Sequence, residues 1–469
     1  MKEPYRAVLY LLFFAACAIR FLGLEKSPPG FYVDEAAAAL NVICVQREFK
    51  ASDGERAPLF AHVIGPALTT PTYLYAGAVW TTLFGHSIQS FRSLAAFANL
   101  LTIIGLYFLA RLLAGTGVAL YVSLAAALSP WAFQFSRIAW DPELMPCFLI
   151  WGIYFFLRSS KPGDSIAAGM LLALSAYSYY AARVQIPLLM APLICLQVYR
   201  GNFKWKSLAA FVVAALTTAM PLIVLTLKGE FQGRVNEVGI FSNAYLQSQG
   251  GSSFLWLLRI FIKNFLLHFT PSFLLFRGDS NLRHSTQSFG ELGWIDLLAL
   301  SAAVFLAGRW LFTRAGKQRQ DAPPWPTVLL AICGIASGIV PAALTWSGIP
   351  HALRSIGAWP FVSLLSGLLL WLASSSWKKF DLIVCVVALV FAGSFFYAYF
   401  VKYPQIAGPW FDSRLKETAI ASKRDGDWAP FVEAARSYSD VWIRYFVIEY
   451  GGETCSSSEK KIKELRGER

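Results

Sequence analysis

The chain is dominated by apolar stretches long enough to cross a bilayer, and no other feature of the sequence limits its fold as tightly. About 20 consecutive apolar residues span the hydrocarbon core as a helix. Inside lipid, only helices and closed barrels satisfy their own backbone hydrogen bonds. Apolar runs fall at 6–24, 91–112, 118–135, 144–158, 165–181, 185–200, 207–227, 294–313, 327–346, 356–373 and 380–400. They predict an all-α polytopic membrane protein of about 11 (roughly 11–13) transmembrane helices. Only 15% of the 469 residues are charged, against about 25% in soluble domains. The first run, "MKEPYRAVLYLLFFAACAIRFLGL", has no small-residue cleavage site after its apolar core and reads as an uncleaved span.

The net charge of +13 does not point to nucleic acid, because no zinc-finger, RNP or helix-turn-helix pattern accompanies it. Lys and Arg gather instead in short connectors: "MKEPYR", "ARLLAGTG", "RSSKPGD", "RGNFKWK", "TRAGKQRQ" and "SSWKKF". These alternate onto one face, which the positive-inside rule assigns to the cytoplasm. The other face then carries 25–90, 136–143, 228–293 and the tail from 401. This divides the chain into a transmembrane domain, 1–400, and a small outer segment, 401–469, whose end "SSSEKKIKELRGER" is expected to fray. A crossing at 70–85 would invert that alternation, so "TPTYLYAGAVWTTLFG" is read as an interfacial helix. The same reading is given to 254–269, with Arg259, Lys263 and His268 on one helical face. Seven cysteines are scattered singly, without metal-site spacing. Cys44 and Cys455 share the outer compartment, and their pairing is left open.

The outer segments hold the polar chemistry. "SPPGFYVDEAAAALN" sets Asp34 and Glu35 where the chain leaves the first span. Acids at a helix start are favoured by the macrodipole, which gives a purely structural reading. An acid at the hydrocarbon boundary is also costly unless it has a partner or a task. "FSRIAWDPELMP" adds Asp141 and Glu143 beside Arg137, which reads equally as a closed ion pair. On the same face, Asp34 and Asp141 can activate an acceptor hydroxyl or hold a divalent metal. Arg183 in "YSYYAARVQIP" either snorkels or binds an anion. "FRGDSNLRHS" offers Asp279, Arg283 and His284, and "PHALRSIG" offers His351 and Arg354 at a helix start. Arg, His and a helix N-terminus suit phosphate or sugar oxygens. No Walker A motif and no strand followed by G-x-G-x-x-G is present, so no nucleotide site is expected.

"PPGFYVDEAAAALN", "SPWAFQFSRIAWDPEL", "YSYYAARVQIPLL", "FRGDSNLRHS" and "PHALRSIGAWPF" resemble, in order and spacing, bacterial membrane glycosyltransferases of the GT-C class, in the group of protein O-mannosyltransferases and the aminoarabinose transferase. The resemblance runs over roughly 5–400. It implies a polyprenyl-phosphate-linked sugar donor, an inverting transfer to an acceptor hydroxyl, and a periplasm-facing site in the inner membrane. It also implies Asp34 as catalytic base, with Asp141 in the place of the second-loop acid and Glu35 beside Asp34. Donor phosphate and sugar contacts then fall to Arg92, Arg183, Asp279, Arg283, His284, His351 and Arg354. Where relatives carry Lys-Pro-Pro-Leu-Tyr, this chain has "TPTYLY", with Thr70 at the Lys position. The resemblance requires no cofactor and leaves open a divalent metal held by Asp34 and Asp141. It does not fix the sugar or the acceptor, whether protein, lipid or glycan. A lipid or polysaccharide transporter, and an oligosaccharide ligase or polymerase of the same fold, are the alternatives.

Overall fold

Among the described residues, the apolar runs lie mainly on helix. A computed structural model describes residues 3–62, 68–159, 161–249, 253–312, 324–377, 379–435 and 440–466. Six helices are long and apolar enough to cross a membrane by length and composition: Ile88–Ala114, Tyr180–Tyr199, Trp205–Leu227, Trp325–Ala343, Ile356–Ser376 and Phe380–Phe411. Ala7–Phe21, Thr116–Ala127 and Trp294–Ala307 are shorter apolar helices, and Leu144–Arg158 and Pro162–Ser178 have 15 and 17 residues. The run expected at 118–135 is two helices, Thr116–Ala127 and Pro130–Phe135. Pro130 has no N–H to continue the first helix and suits the start of a second. Among the described residues the strands amount to one hairpin, Ala61–His62 against Leu68–Thr69. The basic connector "TRAGKQRQ" lies outside the described residues.

The chain divides into two compact units. The first holds Met1–Arg20, Asn99–Phe135 and Met145–Tyr397. Its helices pack in pairs, Pro162–Ser178 on Trp205–Leu227 and Thr116–Ala127 on Trp359–Ser376. Lipid tails are as apolar as leucine, so such pairs rely on close packing. A Cβ at Gly367 would stand 2.3 Å from the Val122 backbone nitrogen; glycine there lets the two backbones touch. Phe254–Leu267 packs on Trp325–Ala343, with Asn264 donating to the carbonyls of Ala343 (3.3 Å) and Thr345 (2.8 Å). Arg259 and Lys263 are exposed on this helix, whereas His268 is buried. That corrects the one-face expectation, because nine residues at 100° each bring His268 to the side opposite Arg259.

The second unit holds Phe21–Ala98, Ser136–Leu144 and Ala398–Arg469, so the tail groups with the first outer loop where the sequence drew a boundary near 400. Its centre is the Val33–Glu48 helix, in which every residue from Glu35 to Val45 is buried. The Pro71–Phe84 and Asp440–Gly451 helices pack against it. The four alanines 36–39 keep this helix thin enough for neighbours to close over it. The C-terminal segment expected to fray forms the Cys455–Arg466 helix. A Cys44–Cys455 disulfide ties it to the Val33–Glu48 helix, and Arg444 donates to the carbonyls of Ser52 (2.8 Å) and Cys455 (3.1 Å).

Candidate active site

In the second unit, the acids expected from the sequence separate into two roles. Asp34 is exposed at the start of the Val33–Glu48 helix and Glu35 is fully buried one residue later. Glu35 takes Arg92 in a bidentate pair, Oε1 from Nε at 2.8 Å and Oε2 from Nη2 at 2.7 Å. It also accepts the backbone N–H groups of Ala139 (2.8 Å) and Tyr32 (3.3 Å). The remaining Arg92 donors go to the carbonyls of Leu24 and Pro28, both at 2.7 Å, and Gly30 at 3.0 Å. The Arg92 guanidinium lies against the Phe31 and Phe411 rings.

This corrects two expectations: Arg92 has spent its donors inside the protein rather than on a phosphate, and Glu35, expected among the catalytic residues beside Asp34, is its buried counter-ion. Together they form a clamp that fixes the loop before the helix, the helix start and the second outer loop. Gly30 completes it. Its φ of +72° is unfavourable for other residues, and a Cβ would fall 2.1 Å from the Phe411 carbonyl oxygen. Arg137 acts in parallel, donating to the carbonyls of Ser27 and Leu22, both at 2.7 Å.

Asp141 is held near Asp34 by this frame. It opens the short helical turn Asp141–Glu143. Thr70 lies beside it, at the start of the Pro71–Phe84 helix. Part of Asp141 remains accessible. Burial of the rest, with a smaller contribution from the negative charge of Asp34, pushes its pKa up to about 7. Tyr73, one turn beyond Thr70, is fully buried and donates its hydroxyl to the Phe91 carbonyl at 3.3 Å. The sequence singled out Thr70 only as a departure from a family motif.

In the first unit, the loop 277–293 and the turn at 351 come together. Asp279 Oδ2 meets His284 Nδ1 at 2.8 Å, accepts the Ala352 N–H at 2.8 Å, and lies 3.7 Å from His351 Nδ1. The two imidazoles are 4.7 Å apart. His268 Nε2 accepts the His351 N–H at 3.1 Å. Burial, then the neighbouring His284 and Arg354, hold His351 well below the usual histidine range, so it is neutral at physiological pH. Beneath them lies Glu291, which the sequence did not single out; it accepts the Asp279 N–H at 3.0 Å. Burial, then the Asp279 charge, raise it well above the carboxylate range.

One ligand atom each from Asp279, His284 and His351 lies within 4.8 Å of the others. One carboxylate and two imidazoles suit a divalent ion. Among the described residues this is the grouping of three potential metal ligands, and it does not include Asp34 or Asp141. Of the other expected anion ligands, Arg283 anchors its loop, its carbonyl accepting from Gln134 Nε2 at 3.0 Å. Arg354 braces the turn before it through Thr345 Oγ1 (2.9 Å) and the Ser347 carbonyl (2.7 Å). Arg183 lies over the Tyr180 and Phe231 rings and donates to the Ala176 carbonyl at 3.1 Å.

Residues 68–225 match the family described as dolichyl-phosphate-mannose-protein mannosyltransferase. No curated protein matches the chain in sequence. Among solved structures, it is similar to ArnT from Cupriavidus metallidurans bound to undecaprenyl phosphate. That match has a TM-score of 0.55 and 14% identity over 97% of this chain and 88% of the other. It is also similar to the Archaeoglobus fulgidus oligosaccharyltransferase solved with Zn and sulfate, with a TM-score of 0.50 and 15% identity over 88% of this chain and 55% of that one. These identities speak for the fold. Residues 68–225 carry a mannosyltransferase family domain, and the chain is an integral membrane protein with the GT-C glycosyltransferase fold.

Proposed function

We propose that this chain is an inverting glycosyltransferase. It moves a sugar from a polyprenyl-phosphate donor to an acceptor hydroxyl at the extracytoplasmic face of a bacterial inner membrane. The observation that carries this reading is the pair Asp34 and Asp141, one exposed and one partly accessible, on a frame locked by the Glu35–Arg92 clamp. A frame that costs two buried charges is expected where geometry must be held for chemistry. The Cys44–Cys455 disulfide supports an oxidising compartment for this unit.

In the proposed reaction Asp34 takes the proton of the acceptor hydroxyl. The oxygen attacks the anomeric carbon from the side opposite the phosphate. The bond from that carbon to the phosphate oxygen breaks, and its electron pair leaves with the polyprenyl phosphate. A single displacement inverts the anomeric centre. Asp141 orients the acceptor hydroxyl. By its residue types alone, the Asp279–His284–His351 cluster of the first unit is proposed to bind an anion, directly or through a divalent ion.

The test is product analysis with the purified full-length chain in lipid nanodiscs. A panel of undecaprenyl-phosphate sugars is offered with lipid, peptide and glycan acceptors. Release of undecaprenyl phosphate with an inverted anomeric centre in the product is expected. Retained configuration overturns the single-displacement mechanism, and lipid-phosphate binding without release from any pair favours a transporter.

A further inference from the structure

Three side chains from two distant stretches of the first unit converge: Asp279 and His284 on the loop 277–293, and His351 on the turn before the Ile356–Ser376 span. Asp279 and His284 are buried, and the His351 side chain keeps 12% of its surface exposed. Asp279 Oδ2 is the centre, taking His284 Nδ1 and the Ala352 N–H, each at 2.8 Å. His351 Nδ1 accepts the Arg354 N–H at 3.3 Å, so this nitrogen carries a lone pair rather than a proton. It nevertheless lies 3.7 Å from Asp279 Oδ2, too far for a hydrogen bond. Two electron-rich atoms thus stand against each other across a short gap. A cation between them turns that repulsion into two bonds.

The spacing fits a metal ion. Nitrogen and oxygen ligands about 2.0–2.2 Å from a tetrahedral zinc ion stand about 3.3–3.6 Å apart. Here two separations are 2.8 and 3.7 Å, and all three ligand atoms lie within 4.8 Å of one another. The ligands are also held from behind, as metal ligands need to be. His268 Nε2 accepts the His351 N–H at 3.1 Å, and Glu291 Oε1 accepts the Asp279 N–H at 3.0 Å. A directly bound anion fits less well, because the Asp279 carboxylate stands in the middle. The neighbouring cations are tied elsewhere. Arg354 donates to Thr345 Oγ1 at 2.9 Å and to the Ser347 carbonyl at 2.7 Å, and Arg234 pairs with Glu237 at 2.5 Å.

We propose that Asp279 Oδ2, His284 Nδ1 and His351 Nδ1 form a site for a divalent ion of the zinc class, which staples the loop 277–293 to the turn at 351. This rests on the reading of the cluster as a binding site and selects the ion over a directly bound anion; it does not need the transfer reaction. On binding, the His284 Nδ1 proton passes to solvent and the freed lone pair bonds the ion. His351 Nδ1 exchanges its long bond to the Arg354 N–H for one to the ion. Two imidazoles and one carboxylate favour zinc over magnesium or calcium, which take oxygen ligands. Three protein ligands leave a fourth position for water or an anion oxygen.

The test uses the full-length chain in nanodiscs of zwitterionic lipid, freed of its purification tag, stripped with a chelator and dialysed against equal zinc and magnesium. Mass spectrometry is expected to find one zinc per chain and no magnesium. Asp279→Asn, His284→Gln and His351→Gln should each lower zinc affinity by at least about tenfold. His86→Gln, in the second unit, should keep it. Zinc should also raise the thermal midpoint of wild type and not that of the three ligand variants. His351 is the most exposed of the three, so His351→Gln is the variant to read if the buried ones unfold. Cobalt in place of zinc gives a readout on wild type alone: the intense visible absorption of a tetrahedral site is expected, and the weak spectrum of an octahedral one overturns the site. No uptake by wild type, uptake undiminished in the folded ligand variants, or a preference for magnesium also overturns it. No sugar donor is present in these measurements. Zinc uptake by a chain that transfers no sugar therefore supports the site and counts against the transferase, whereas transfer by a chain that takes up no metal overturns the site and leaves the transferase standing.

Discussion

Asp141 carries the clearest pH signature of the residues in the candidate site. Burial raises its folded pKa to about 7 from an ordinary value of 3.8. Between those values the folded chain binds more protons than the unfolded one, so stability falls as pH rises from about 4 to about 7. Thermal unfolding in detergent should follow that slope, and Asp141→Asn should flatten it; a variant with the wild-type slope would show that another group titrates there. Arg92 makes the opposite case, because its charge is fully compensated by Glu35. Truncation to alanine strands Glu35 in the interior and should cost about 3–5 kcal/mol. Severe loss of folded protein is expected, whereas a stable Arg92→Ala protein with weakened donor binding would restore Arg92 as a phosphate ligand. Asp141 stood out in the sequence as an acid on the outer face, whereas Arg92 entered only through the family resemblance. Nothing local distinguished them, since Glu35 lies 57 positions from Arg92 and the carbonyls that consume its donors have no sequence signature.

The elements were more legible than the roles of single residues. Apolar runs mark helices directly, because a backbone in lipid has no other way to satisfy its hydrogen bonds. Both Pro71–Phe84 and Phe254–Leu267 form helices where non-crossing helices were expected. The misreadings have local causes. Pro130 divides one run into two helices, and His268 was set on the wrong face through helix arithmetic. The terminal helix has a charged sequence that gives little reason to order on its own. It is ordered by the disulfide from Cys455 to Cys44, 411 positions apart. Replacing both cysteines by serine should lower stability by about 2–4 kcal/mol and leave Cys455–Arg466 open to protease. Unchanged protection would mean that Arg444 and the packing around it suffice.

For the whole molecule, fold class followed from composition and helix length, while the sidedness of the chain rests on its basic connectors. The proposed sidedness puts Asp53 outside and Lys161 inside. On a background lacking native cysteines, Asp53→Cys in intact cells should react with a membrane-impermeant maleimide and Lys161→Cys should not. The reverse pattern would place Asp34 and Asp141 in the cytoplasm and remove the extracytoplasmic reaction. The two clusters differ in chemistry as well as in unit: paired aspartates suit proton transfer, and the Asp–His–His group suits an anion or a metal. The mechanism turns on the first of these. Its most direct measurement is the rate at which purified Asp34→Asn releases undecaprenyl phosphate from a saturating sugar donor, beside wild type. A fall of about a hundredfold to ten-thousandfold, with lipid-phosphate affinity unchanged, is expected when a general base is lost. Release at the wild-type rate by Asp34→Asn would contradict the assignment of Asp34 as the base.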